Sequence, residues 1–167
     1  GGYLVASFLF KVTATATQSR RITILLGFSI IGALLIDILA GPLLGAYSMS
    51  YFWVLWPCFA LVLAAVALSG AAIQGFVGEQ GTLVVVFLYV VLGGPPAGGV
   101  GVYLLPTYWQ AIGALFPARH AVVLFRNILY FNGNHILVPL MVLGLYAVVG
   151  LAGILFLERR RPTAASE

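Results

Sequence analysis

From Ile22 to Pro42 the chain runs apolar, with Asp37 as the one charged side chain in its path. At 1.5 Å of rise per residue, a helix of about twenty residues matches the roughly 30 Å hydrocarbon layer of a bilayer. No soluble domain has a comparable surface to hide, and the composition agrees: 62% of the 167 residues are hydrophobic and only 7% charged, against about a quarter charged in soluble domains. The chain reads as an integral membrane protein. Its apolar runs are too long, and too little alternating, for the strands of a barrel.

Further apolar segments follow the same rule. Trp53 to Val77 opens on WVLWP, with Trp53 and Trp56 where indole rings favour the headgroup layer. Thr82 to Leu92 is a short, β-branched run halted by GGPPAGG, Gly93 to Gly99. There Pro95 and Pro96 remove N–H donors, and Gly93 and Gly94 weaken helical order. Ile136 to Leu157 ends in ERRRP. Residues 1–10 are apolar but too short to span, so they are expected to be the tail of a helix that begins upstream, in a longer protein. The predicted fold is an all-α polytopic bundle of about five spans, at 1–10 (partial), 22–42, 53–77, 82–92 and 136–157, in a single transmembrane domain.

Basic residues orient these spans. Lys11, Arg20 and Arg21 share one loop, and Arg159, Arg160 and Arg161 follow the last span. The positive-inside rule places both groups, and the C-terminus, in the cytoplasm. The same placement explains an isoelectric point near 9.5 without nucleic acid as a partner. Parity then requires that residues 93–135 make no net crossing. Their sequence suits that demand. LLPTYWQAIGALFP (Leu104 to Pro117) predicts a helix of about three turns between two prolines. ARHAVVLFRNILYF (Ala118 to Phe131) is amphipathic: Arg119, His120, Arg126, Asn127 and Tyr130 share an arc of roughly 120°. Two such helices over 104–131, joined at a proline, are expected to dip into the outer leaflet and return.

Few residues offer chemistry. Cys58 is the sole cysteine, neither histidine has metal-ligand spacing, and no P-loop, serine-hydrolase or H-E-x-x-H string occurs. No catalytic residue, metal site or cofactor is expected in this chain. Asp37, a carboxylate within a span and close to its outer end, either snorkels toward the outer interface, is paired structurally, with Arg119 or Arg126 as candidate partners, or lies on a substrate or proton path. Arg119, His120 and Arg126 either face solvent or meet anionic headgroups or substrate. His135 marks the mouth of the last span and Glu79 a cytoplasmic turn. Ala60, Ala64, Ala67, Ala71 and Gly75 recur at helical spacing, which suits close helix packing or, less commonly, the lining of a path.

The order of a broken Gly-Pro span, then LP.Y.QAIG.LFP.RHAV...RN..YF.G, then a final span with a basic tail resembles the C-terminal transmembrane region of type-2 ABC exporter permeases. Within that superfamily the chain is most similar to the YhgE/Pip-like (phage-infection-protein) branch. The resemblance implies a first helix and an extracellular insert upstream, a re-entrant outer helix pair, a homodimer or heterodimer, and a bacterial cytoplasmic membrane. It also implies a role in moving molecules across or out of that membrane. Lys11, Arg20 and Arg21 would lie in the loop that meets a cytoplasmic partner, and Gly93, Gly94, Pro95 and Pro96 would form a gate or hinge. The loop KVTATATQSRR is short and a poor helix former, so ATP would enter only through a separate ATPase subunit, if at all. Two functions follow: a permease subunit for a lipid-like or amphipathic substrate, or a non-transporting anchor or assembly subunit of a secretion or cell-envelope complex.

Overall fold

A computed structural model describes residues 18–94, 104 and 106–160, and every regular element among them is helical. The expected partial span at 1–10, Lys11, Pro95, Pro96 and Arg161 lie outside the described residues. Three stretches are long and apolar enough to cross a membrane: Arg20–Leu43, Met49–Leu92 and Leu137–Arg160. A bent pair adds a fourth if it is counted as one span. The chain is thus a helical membrane protein with three to four candidate spans.

Helix α1 (Gln18–Ile38) carries Leu and Ile around its whole circumference. Ile31 and Leu35 are left facing outward while Ala33 is buried, as a lipid-facing helix requires. At its end the coil widens into a π turn, Leu39–Leu43, that contains Pro42. A proline there has no N–H to return to the preceding turn, so the ladder is re-drawn around it. A 3₁₀ turn at Met49–Tyr51 then leads into α2 (Phe52–Val77).

Helix α2 ends at Gly78, whose φ of +80° is open to glycine and strained for other residues. One turn later the chain heads back as α3 (Gly81–Val86), prolonged by a π-helical segment, Phe87–Leu92. Gln74 Nε2 donates to Thr82 Oγ1 at 3.4 Å, Gly70 lies against Val85, and the Ser69 and Tyr89 hydroxyls meet at 2.6 Å. These pairs set an antiparallel register. The apolar run Met49–Leu92 is therefore a hairpin, divided close to where the sequence separates 53–77 from 82–92.

Helix α2 is the hub of the bundle, touching every other long helix. Trp56 Nε1 donates to the Ile30 carbonyl at 3.3 Å, and Leu25 packs with Leu68 and Ala71, so α1 runs antiparallel to α2. The long C-terminal helix, called α6 below (Leu137–Arg160), runs parallel to α2. Gly150 meets Ser69, Gly153 meets Ala72, and Leu157 meets Gly75. Gly150 sets the spacing: a methyl there would sit 2.4 Å from the Ser69 backbone nitrogen.

Two short helices precede α6. They are α4 (Thr107–Gly113) and α5 (Pro117–Tyr130), with axes bent by 83°. The sequence predicts one longer helix up to Pro117. Instead α4 stops at Gly113, and Pro117 opens α5 at its first turn, with Phe116 extended as the residue before proline favours. Helix α5 wedges Leu124 and Ile128 among Leu55, Ala65 and Leu143, and stacks Phe125 on Phe59 with centroids 4.3 Å apart. It leaves through a turn in which Asn132, Gly133 and His135 all have positive φ.

Candidate functional site

Asp37 is fully buried near the C-terminal end of α1. The Tyr47 hydroxyl donates to Asp37 Oδ1, and it also lies 3.2 Å from the Asp37 carbonyl. Asp37 Oδ2 is buried with no hydrogen-bond partner among the described residues. The π turn makes this contact possible by folding the loop that carries Tyr47 back over α1, where the Tyr47 ring covers Gly41. Burial first, then the hydrogen bond to Asp37 and its charge, push the Tyr47 hydroxyl well above its ordinary value near 10. The structure does not bring Asp37 to Arg119 or Arg126. Its partner is a tyrosine ten residues along, in a segment without any motif to mark it.

The basic residues of α5 divide by position. Arg119 Nη1 donates to the Gln110 carbonyl at 2.7 Å, and His120 Nε2 lies 2.8 Å from the Ala114 carbonyl and donates to it. Both acceptors belong to the end of α4, where the Gln110 carbonyl also accepts the Ala114 amide at 3.3 Å and the carbonyls beyond it run out of intrahelical donors. A basic side chain there also meets the negative end of the helix dipole. Arg119 and His120 thus brace the 83° bend, while Arg126 is exposed. His135 is exposed in the turn before α6, and Glu79 is exposed at the α2–α3 turn. Arg20 is exposed and Arg21 half-buried in the first turn of α1.

The small residues of α2 go to packing. Ala71 is buried, and Ala64 and Ala67 lean on the cluster of Leu25, Leu68 and Ile154. Ala60 is half-buried, and a methyl on Gly75 would lie 2.6 Å from Leu157 Cδ1. At the far end of α3, the Gly93 amide donates to the Leu88 carbonyl at 3.0 Å. A methyl on Gly93 would approach the Tyr89 carbonyl oxygen at 2.8 Å, whereas Gly94 is open around its Cα.

A cleft of about 600 Å³ opens between α2, α3 and α6, lined by Ser69, Phe76, Tyr89, Tyr146, Gly150 and Phe156 among others. A second, of about 370 Å³, lies where the end of α4 meets α6, and Tyr146 and Val149 line both. None of Ala60, Ala64, Ala67, Ala71 or Gly75 lines either one. Among the described residues the walls are apolar except for hydroxyls. Tyr146 donates to the Leu115 carbonyl, Ser69 donates to the Ala65 carbonyl, and Tyr89 meets Ser69. Sequence reasoning passed over Ser69, Tyr89, Tyr146 and Gly150, because hydroxyls and glycines in apolar runs carry no motif. Their common face becomes visible once the α2–α3 hairpin closes beside α6. No family model matches the chain, and no curated protein or solved structure matches it.

Proposed function

We propose that the chain is a permease subunit of the type-2 ABC exporter kind, close to the YhgE/Pip-like branch. It would move a lipid-like or amphipathic substrate across or out of a bacterial cytoplasmic membrane. In this reading the α2–α3 hairpin ends in a broken span and the α4–α5 pair is a re-entrant outer element. The basic ends of α1 and α6 face the cytoplasm, and the working unit is a dimer with a separate energising partner. The observation that carries the reading is the apolar cleft between α2, α3 and α6, which reaches toward the bent α4–α5 pair through Tyr146. Its volume lies within the range of about 300–1,000 Å³ typical of small-molecule sites. Its polar groups are too few to conduct ions. An anchor has no need of such a cleft.

The test is copurification from native membranes followed by reconstitution. A stoichiometric ATPase is expected, and vesicles holding the assembly should move a fluorescent single-chain amphiphile between leaflets when ATP is supplied. Val149→Trp, which fills the junction of the two clefts, should abolish that movement. Isolation within a large complex whose vesicles behave like protein-free ones overturns the permease reading in favour of the anchor.

A further inference from the structure

The cleft's hydroxyl protons can be counted. Carbonyl oxygens only accept, so the Ser69 proton is committed to Ala65 and the Tyr146 proton to Leu115. Ser69 Oγ then has no proton left for Tyr89, and the 2.6 Å contact between them requires Tyr89 to donate. Three hydroxyls and three protons are thereby satisfied inside the protein, and only lone pairs remain to meet a ligand. Among the described residues, no charged side chain lines either cleft.

From this balance we propose that the cleft is a binding site for an uncharged, hydroxyl-headed amphiphile. The ligand's chain lies along Phe76, Val149 and Phe156, and its hydroxyl donates its single proton to one of the oxygens that Ser69, Tyr89 and Tyr146 present. A phosphate or carboxylate head would set acceptor against acceptor, and its charge would be desolvated with no counter-ion. An ammonium head can donate but meets the same desolvation penalty. A long-chain alcohol meets neither obstacle. Where the permease reading names only a lipid-like substrate, the proton count names the head group, and it rests on that reading for the membrane setting alone.

The experiment uses the purified full chain in nanodiscs and a photoreactive diazirine derivative of hexadecanol. Competitors are hexadecanol, its methyl ether and hexadecanoate. Hexadecanol should compete about three- to tenfold better than the ether, the range expected for one hydrogen bond, and hexadecanoate should compete worst. Combining Ser69→Ala, Tyr89→Phe and Tyr146→Phe should bring alcohol and ether to parity while the ether still binds. Val149→Trp should weaken both by at least about tenfold, which keeps the proposal testable if the triple variant fails to fold. Equal competition by alcohol and ether in the wild type overturns the proposal. So does a preference for hexadecanoate, or labelling that Val149→Trp leaves unchanged. Binding is read without flux, so intact alcohol preference in a transport-dead assembly would sink the permease reading alone, and transport without the preference would sink this site alone.

Discussion

At the scale of single residues, Asp37 and Tyr47 hold the most unusual balance in the molecule. A carboxylate with no exposed surface has one oxygen satisfied by a phenol and the other by nothing described. Tyr47→Phe strips the satisfied oxygen of its donor, and leaving a buried acceptor unpaired costs about 1–3 kcal/mol. The variant should therefore melt at lower temperature than wild type in detergent at pH 8. The pair also sets an alkaline limit. Because the folded form holds the Tyr47 proton above the ordinary value near 10, the unfolded chain releases that proton first as pH rises. The stabilisation is fully present below about pH 10 and declines above it. Melting curves from pH 8 to 11 should show a steeper alkaline fall in wild type than in Tyr47→Phe. Asp37→Asn keeps an acceptor for Tyr47 but removes the charge that helps hold its proton, so its alkaline fall should be intermediate. Identical pH profiles for all three proteins would mean that the Tyr47–Asp37 contact does not couple to folding.

At the scale of elements, two glycines of α6 make opposite demands on the same substitution. A methyl on Gly150 would press into the α2 backbone at 2.4 Å, while Gly144 has nothing within 4 Å. Gly150→Ala should force α2 and α6 apart and lower stability by about 1–3 kcal/mol, the usual consequence of overpacking. Gly144→Ala should be neutral or gain up to about 1 kcal/mol from better helix propensity. Unfolding of the two variants side by side checks this, and equal midpoints would mean that the α2–α6 approach is looser than drawn. Hydropathy cannot rank these two positions, since both are single glycines in an apolar run. It does place the helices that contain them: α1, α2 and α6 begin and end within a few residues of the predicted spans at 22–42, 53–77 and 136–157. Length and apolarity suffice for that, because a backbone in lipid has few alternatives to a helix. Prolines likewise announce the break between α4 and α5, though not that Pro117 belongs to the second helix. What stays hidden in sequence is tertiary: the tyrosine that finds Asp37, the carbonyls that Arg119 and His120 brace, and the hydroxyls gathered by the hairpin.

At the scale of the whole molecule, helix directions sort the termini into two ends. Helix α1 is antiparallel to α2, and α6 is parallel to it, so Arg20 and Arg21 lie at the same end as the Gly78–Gln80 turn, Arg159 and Arg160. Tyr47, Trp53 and the turn of Asn132 to His135 lie at the other. Charges far apart in sequence are thus gathered on one side, which is the arrangement that the positive-inside rule rewards. Single cysteines in a Cys58→Ala background test the assignment. Gln80 and Asn134 are both exposed and stand at opposite ends. In intact bacterial cells, a membrane-impermeant maleimide should label Asn134→Cys directly and Gln80→Cys only after permeabilisation. The reverse pattern would keep the bundle but invert it, and the basic residues would then need a role other than topology. Labelling of both from one side would be the more serious result, because α2 and α6 could not then cross the membrane in parallel.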